Sequence, residues 1–253
     1  VWKSYGGNSI LKGLSLQIAP SAITVILGRS GVGKSVLLRH IAGLETVDDG
    51  EIEIDGSPIS TLTEKERSSV FRQVGMLFQS SALFDSMTVE ENVAFSLQHQ
   101  EDPLPNSTIY EEVRLALEKV GLQEFHKKYP SDLSGGQKRR AALARLIVYK
   151  PKVLLFDEPT TGLDPITAHH IALLISETQR LLDATVIVVT HDIPAALTVG
   201  KYFALHHEGV IRLFGEKDEF FSSRDEILQS FMKSCIVPDQ YIQHVSLSGE
   251  ESI

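Results

Sequence analysis

The sequence predicts an α/β fold built on a buried parallel sheet. Three runs predict it: Ala22–Leu27 (AITVIL), Val153–Phe156 (VLLF) and Thr185–Val189 (TVIVV). Each is short, apolar and largely β-branched or leucine-rich, as strands covered on both faces are. Helical periodicity lies between them. Val36, Leu37, Leu38, Ile41 and Leu44 recur at helix spacing after the first run, with Gly43 where that helix would end. Ile171, Leu174 and Ile175 do the same after the second, behind Asp164-Pro165 with proline in the first turn. Alternation of strand and helix is the mark of an α/β core.

In chain order, Val1–Tyr5 and Ile10–Ile18 read as two strands joined by the turn Gly6-Gly7-Asn8. Gly28–Ser35, Gly-Arg-Ser-Gly-Val-Gly-Lys-Ser, then fits G-x-x-x-x-G-K-S between a strand and a helix, the context a P-loop requires. Its glycines let the backbone close around an anion, and the N–H groups and the positive helix end hold phosphate. Lys34 is placed to reach β/γ-phosphates, and Ser35 to offer its hydroxyl to Mg²⁺. Tyr5 has two readings, a ring stacked on a base or a half-buried edge-strand aromatic.

Gly50–Gly56 reads as a strand ending in an Asp-Gly turn, Thr61–Arg67 as helix-prone, and Val74–Phe78 as another buried strand ending at Gln79. From Ser80 to about Tyr149 the pattern turns helical. There Thr108 and Glu111 are spaced as a capping box, and Val113, Ala116, Leu117 and Val120 form a stripe ending at Gly121. Gln98–Pro105 reads as an exposed linker. The residues Ala82, Leu83, Phe84, Met87 and Val89 are too apolar for a free loop. They either line a groove for a partner helix or anchor the helical part to the core.

Asp157 and Glu158 follow the second apolar run, at the strand end where open α/β sheets bind ligands. Asp157 suits the Mg²⁺ shell and Glu158 the polarising of an attacking water. His191, after the third run, stands in the same register and within reach of a γ-phosphate. Tyr202–Leu205 and Val210–Phe214 read as a hairpin around Glu208-Gly209, Glu216–Lys233 as a final amphipathic helical stretch, and residues 236–253 as a tail.

The net charge of −9 on 253 residues argues against a general nucleic-acid binder. The lone Cys235 excludes an intrachain disulfide, fits a reducing compartment and reads as a small semi-buried hydrophobe. No apolar run approaches the roughly 18–20 residues that span a bilayer, and no secretory signal pattern opens the chain.

The P-loop, Gln79, Leu133-Ser134-Gly135-Gly136-Gln137, Leu154–Glu158 (LLFDE), Gly162-Leu163-Asp164 and His191 stand in the order found in ATP-binding cassette (ABC) ATPases, and residues 1–225 resemble that family. The resemblance implies a RecA-like P-loop core with an antiparallel β subdomain (1–79 and 150–235) and an inserted helical subdomain (about 80–149). It also implies a head-to-tail homodimer that encloses two ATP molecules. Each nucleotide would meet Gly28, Arg29, Ser30, Gly31, Val32, Gly33, Lys34, Ser35 and Val36 of one chain and Ser134, Gly135, Gly136 and Gln137 of its mate. Tyr5 would stack on adenine, Gln79 would sense Mg²⁺ and water, Asp164 would work across the dimer, and His191 would contact the γ-phosphate.

Met76–Phe95 (MLFQSSALFDSMTVEENVAF), Lys138–Arg145 and Asp164–Thr167 resemble the Mla-type ATPases, which energise phospholipid movement between two membranes. Leu146 departs from the alanine usual at that place. That resemblance implies separate membrane permease chains, a lipid-binding partner protein and a place on the cytoplasmic face of the inner membrane. Single-cassette importers of amino acids share much of the pattern, and a soluble assembly ATPase would keep the same ATPase chemistry.

Overall fold

The computed structural model describes residues 1–100 and 104–235. The chain opens with a hairpin, β1 (Trp2–Tyr5) and β2 (Asn8–Lys12), and enters the core at β3 (Ile23–Leu27). The predicted strand over 10–18 stops at Lys12. The chain turns there, and the N–H groups of Gly13 and Leu14 both donate to Val1 O, at 3.2 and 3.0 Å. The P-loop helix α1 (Lys34–Ile41) follows, then the short pair β4 (Glu53–Ile54) and β5 (Ser57–Pro58), helix α2 (Glu64–Phe71) and β6 (Val74–Leu77).

Between β6 and the next sheet strand run α3 (Val89–Gln98), α4 (Asn106–Lys119) and α5 (Gly135–Tyr149). Then come β7 (Val153–Asp157), α6 (Pro165–Leu182), β8 (Thr185–Thr190), α7 (Ile193–Val199), the hairpin β9 (Tyr202–His207) and β10 (Val210–Glu216), and the helices α8 (Lys217–Ser222) and α9 (Glu226–Ser234).

The central sheet has the order β10-β9-β3-β8-β7-β6, parallel from β9 to β6, with β10 antiparallel at the edge. Pleating divides its side chains. Val25, Leu27, Leu154, Phe156, Val186 and Val188 face one core, shared with α5 and α6. Ile26, Leu155, Ile187, Val189 and Ala204 face the other, under α1. Register then fixes the site: Leu27 is level with Thr190 and Leu205, and Asp157 with Val189. The P-loop, the two acids and His191 therefore leave the sheet along one edge.

Two predicted details are corrected. Thr108 and Glu111 form no capping box, because α4 begins earlier, at Asn106 behind Pro105, which puts Thr108 inside the first turn. Glu111 pairs instead with Arg114 at 2.7 Å. Side-chain capping boxes occur at Thr63/Glu66, Thr88/Glu91 and Ser134/Gln137. The single helical stretch over 216–233 is two helices. Asp225 interrupts it, accepting from Ile227 N and Leu228 N to start α9 afresh. The tail 236–253 lies outside the described residues, as do residues 101–103 of the linker.

The segment after Gln79 divides between its two readings. Val89 is buried in the core, whereas Ala82 and Phe84 are exposed. Buried Asn92 ties this loop down, accepting from Phe84 N at 2.8 Å and donating to Phe84 O and Met87 O at 3.0 Å.

Candidate nucleotide-binding and catalytic site

Gly33 caps α1 with φ at 105°, a backbone state that L side chains rarely adopt, and a Cβ there would sit 2.7 Å from Ile10 Cγ2. The loop thus closes tightly onto the N-terminal turn of α1, where the first backbone N–H groups have no helical partner. A cleft of about 530 Å³ opens over this turn, lined by Tyr5, Ile10, Ser30, Gly31, Gly33, Lys34, Ser35, Val36, Arg39, Gln79, Glu158, Thr161 and His191.

Inside it, buried Lys34 donates to Gly28 O at 2.7 Å and Arg29 O at 3.0 Å, with its Nζ 3.2 Å from Glu158 Oε1. Ser35 donates to Asp157 Oδ1 at 2.8 Å. Glu158 is the first residue past the β7 ladder and adopts φ of 47°, while its N–H still bonds Val189 O. Such left-handed geometry in a non-glycine residue is costly and clusters at functional sites. Its Oε2 accepts from His191 Nδ1 (2.9 Å), Thr161 (3.0 Å) and Thr190 (3.2 Å).

Burial pushes the Glu158 carboxyl up, but the His191 hydrogen bond and the Lys34 charge outweigh it, and its pKa lies below the ordinary glutamate value. Asp157 moves the other way. Burial raises it, only partly opposed by the Ser35 hydrogen bond, and the neighbouring Glu158 charge adds to the rise. Ser35 Oγ and the Asp157 carboxylate are hard oxygen donors in direct contact beside the first turn of α1. This donor set fits Mg²⁺, which takes few protein oxygens and completes its shell with water and phosphate.

Not every expected residue lines the cleft. Gly28 and Arg29 instead border a second cavity of about 120 Å³ behind the loop, with His206, His207, Ile227 and Phe231. Ser134 caps α5, its Oγ accepting from Gln137 N and its own N–H donating to Gln137 Oε1 at 2.8 Å. Gly135 is exposed, and Gly136 is packed so that a Cβ would lie 2.5 Å from Thr167 Cγ2. Asp164 caps α6 and is exposed. Ser134–Gln137 and Asp164 contribute nothing to the cleft that Lys34 and Glu158 line.

Sequence reasoning missed several residues. Thr161 and Thr190 clasp Glu158, and Arg39 lines the cleft from the second turn of α1. Thr190 immediately precedes His191 on a buried strand, a legible signal; Arg39 reads in sequence only as an exposed helix cation. His206 is also buried, with neither ring nitrogen hydrogen-bonded.

Comparison with known proteins agrees with this geometry. Residues 11–161 match the ABC transporter family. The chain is 39% identical over 227 residues to the intermembrane phospholipid transport system ATP-binding protein MlaF of Escherichia coli K12, covering 90% of this chain and 84% of that one. It is 36% identical over 230 residues to the probable ribonucleotide transport ATP-binding protein mkl of Mycobacterium leprae, covering 91% and 66%. Among solved structures it resembles the ATP-binding cassette MJ0796 in a dimeric post-hydrolysis state bound to ADP and Pi, with TM-score 0.76, 29% identity, and coverage of 85% and 94%. With a P-loop cleft, paired acids and a sheet of this kind behind these matches, the chain belongs to the ABC transporter family and is one of its ATP-hydrolysing, ATP-binding subunits.

Proposed function

We propose that two copies of this chain close head-to-tail on two ATP molecules and drive a separate membrane permease that moves phospholipid. The 39% identity with MlaF over 227 residues carries the lipid reading. The dimer reading is supported by the separation of the two anion-binding helix starts. The α1 turn lines the cleft, while Ser134, Gly135 and Gly136 start α5 away from it, where a second chain's nucleotide can reach them.

In this reading the P-loop residues Ser30–Val36 hold the phosphates by backbone N–H groups, with Lys34 as the point charge and Tyr5 stacked on the base. Ser35, with Asp157 and Gln79, would hold Mg²⁺, which when bound would supply charge neutralisation for phosphoryl transfer. Glu158 accepts a proton from water as the water oxygen bonds the γ-phosphorus and the bond to the β–γ bridging oxygen breaks, giving ADP and phosphate. His191, Thr161 and Thr190 hold the carboxylate in place, and Asp164 acts across the dimer.

Exposed Phe84 packs its ring 4.7 Å from Phe95, five residues beyond Gln79 in the cleft. It is the surface on which a permease helix would rest, so that closure around ATP moves the permease. No described helix is long and apolar enough to cross a membrane. By the likeness to MlaF, the permease would hold this subunit at the cytoplasmic face of the inner membrane, with a lipid-binding partner protein in the same complex.

The test is purification from detergent-solubilised host membranes, with mass spectrometry of proteins and lipids. Recovery of a permease, a lipid-binding partner and phospholipid is expected. A permease with a soluble solute-binding protein would replace lipid with a small solute, the reading that the 36% identity with mkl favours. Recovery of soluble proteins alone would remove the transport claim.

A further inference from the structure

The base end of the cleft is held by a strip of sequence that lies outside it. After α1 the chain runs through residues 44–50, and Glu45, Thr46, Asp48 and Asp49 of this loop bond to all four residues of β1. Trp2 N donates to Asp49 O at 2.8 Å and Asp48 N to Trp2 O at 2.9 Å. Lys3 Nζ donates to Thr46 O at 2.7 Å and to Asp48 Oδ1 at 2.9 Å, and Ser4 N donates to Asp48 Oδ2 at 2.7 Å. Tyr5 completes the series, its hydroxyl donating to the Glu45 carboxylate.

Glu45 has a second partner. Arg39 Nε lies 2.7 Å from Glu45 Oε1, an ion pair without hydrogen-bond alignment. Lys3 Nζ stands 5.4 Å from the centre of the Tyr5 ring. Tyr5 and Arg39 both line the cleft, and Glu45 does not.

We propose that Glu45 is a positioning residue for the nucleotide base: it holds the Tyr5 ring at the mouth of the cleft and ties it, through Arg39, to the helix whose first turn takes the phosphates. This proposal rests on Tyr5 facing the base. Tyr5 belongs to a two-stranded hairpin, is 39% exposed, and carries glycines at the next two positions. Without an anchor its ring would sweep several rotamers, and stacking on a base would have to overcome that freedom. The Glu45 contact removes it beforehand. Burial, and then Glu45 itself, keep the Tyr5 hydroxyl protonated and so able to donate, while that same bond holds the Glu45 carboxyl below its ordinary range.

The arrangement also joins the two halves of the ligand. Arg39 is five residues after Lys34 on α1, so the Arg39–Glu45 pair links the Tyr5 ring to the helix that carries Lys34.

The experiment measures binding of ATP and of inorganic tripolyphosphate to the full chain, since only ATP carries a base. Glu45→Ala should weaken ATP binding about tenfold, part of the ~1–3 kcal/mol that base–aromatic stacking contributes, and leave tripolyphosphate binding unchanged. Glu45→Gln, which keeps an acceptor for the hydroxyl, should recover most of the affinity. Tyr5→Phe should resemble Glu45→Ala, and the two together should cost no more than either. Wild-type ATP affinity in Glu45→Ala would overturn the proposal, as would equal weakening of both ligands. Tyr5→Ala separates the two readings. If it weakens ATP while Glu45→Ala does not, only the positioning role fails; if it leaves ATP affinity intact, the base-stacking reading fails with it.

Discussion

His191 Nδ1 lies 2.9 Å from Glu158 Oε2, joining the residues that follow two neighbouring strands, β7 and β8. The same carboxylate reaches Lys34 through its other oxygen, Oε1, at 3.2 Å. One glutamate thus touches the P-loop lysine on one side and the β8 strand end on the other. Its depressed pKa keeps it ionised at neutral pH, the state a base must hold.

Glu158→Gln should therefore bind ATP and fail to turn it over. Loss of a positioned general base costs ~10²–10⁴-fold, and removing a negative charge beside the γ-phosphate position should leave ATP affinity equal or higher. Phosphate release and equilibrium ATP binding, measured on one preparation, check both halves. Wild-type turnover in the variant would assign the base elsewhere.

Lys34→Ala should lose nucleotide binding, and Ser134→Arg should bind ATP as a monomer without forming the ATP-dependent dimer. Mixing the two tests the head-to-tail arrangement directly. One mixed dimer pairs the intact P-loop of the Ser134→Arg chain with the intact Ser134 of the Lys34→Ala chain. Hydrolysis by the mixture, absent from either variant alone, is the expected result. Silence from the mixture, with both chains folded by circular dichroism, would contradict the shared site.

Gly136 is held against α6 by Thr167, whose Cγ2 lies 2.5 Å from where a Cβ would stand. Gly136→Ala should lower stability by about 1–3 kcal/mol, the usual cost of overpacking. Thr167→Ser removes the clashing methyl and should restore most of it. Urea midpoints of the single and double variants decide this, and additive losses would show that the contact is not the cause.

His206 makes stability depend on acid. Burial, the Lys34 charge and then His207 lower its pKa to about 4, against 6.5 for a free histidine. Between those values the unfolded chain binds more protons than the native one, so stability falls as pH drops through the window. From pH 7 to pH 5 the loss assigned to this group is about 2 kcal/mol. His206→Leu should remove that part of the dependence. An unchanged slope of urea midpoint against pH would show that other groups carry it.

Much of this site is legible because its parts are local. A P-loop is a backbone shape made by glycines between a strand and a helix, and Ser134 with Gln137 closes a capping box within three residues. The apolar stripe of α4, with Val113, Ala116 and Leu117 buried and Val120 buried at its C-cap, is likewise a property of one helix. Local signals also mislead. Thr108 and Glu111 have the spacing of a capping box, yet Pro105 two residues upstream of Ser107 already sets the helix start. Asp225 likewise breaks a periodic stretch by capping a new helix within it.

The residues alone determined the strand–P-loop–helix unit, the paired acids at a strand end, and a second glycine-rich helix start at Ser134. Tertiary structure decided which of these meet. Ser35 and Asp157 are 122 residues apart and Thr160 and Asp192 are 32 apart, and each pair touches only because β3, β8 and β7 lie side by side with their ends level. The clasp of Thr161 and Thr190 on Glu158, the exclusion of Ser134 from the Lys34 cleft, and the hold of Glu45 on Tyr5 follow from the same cause. Strand order and register are set by burial of whole faces against helices, a long-range free energy that no short stretch of sequence contains.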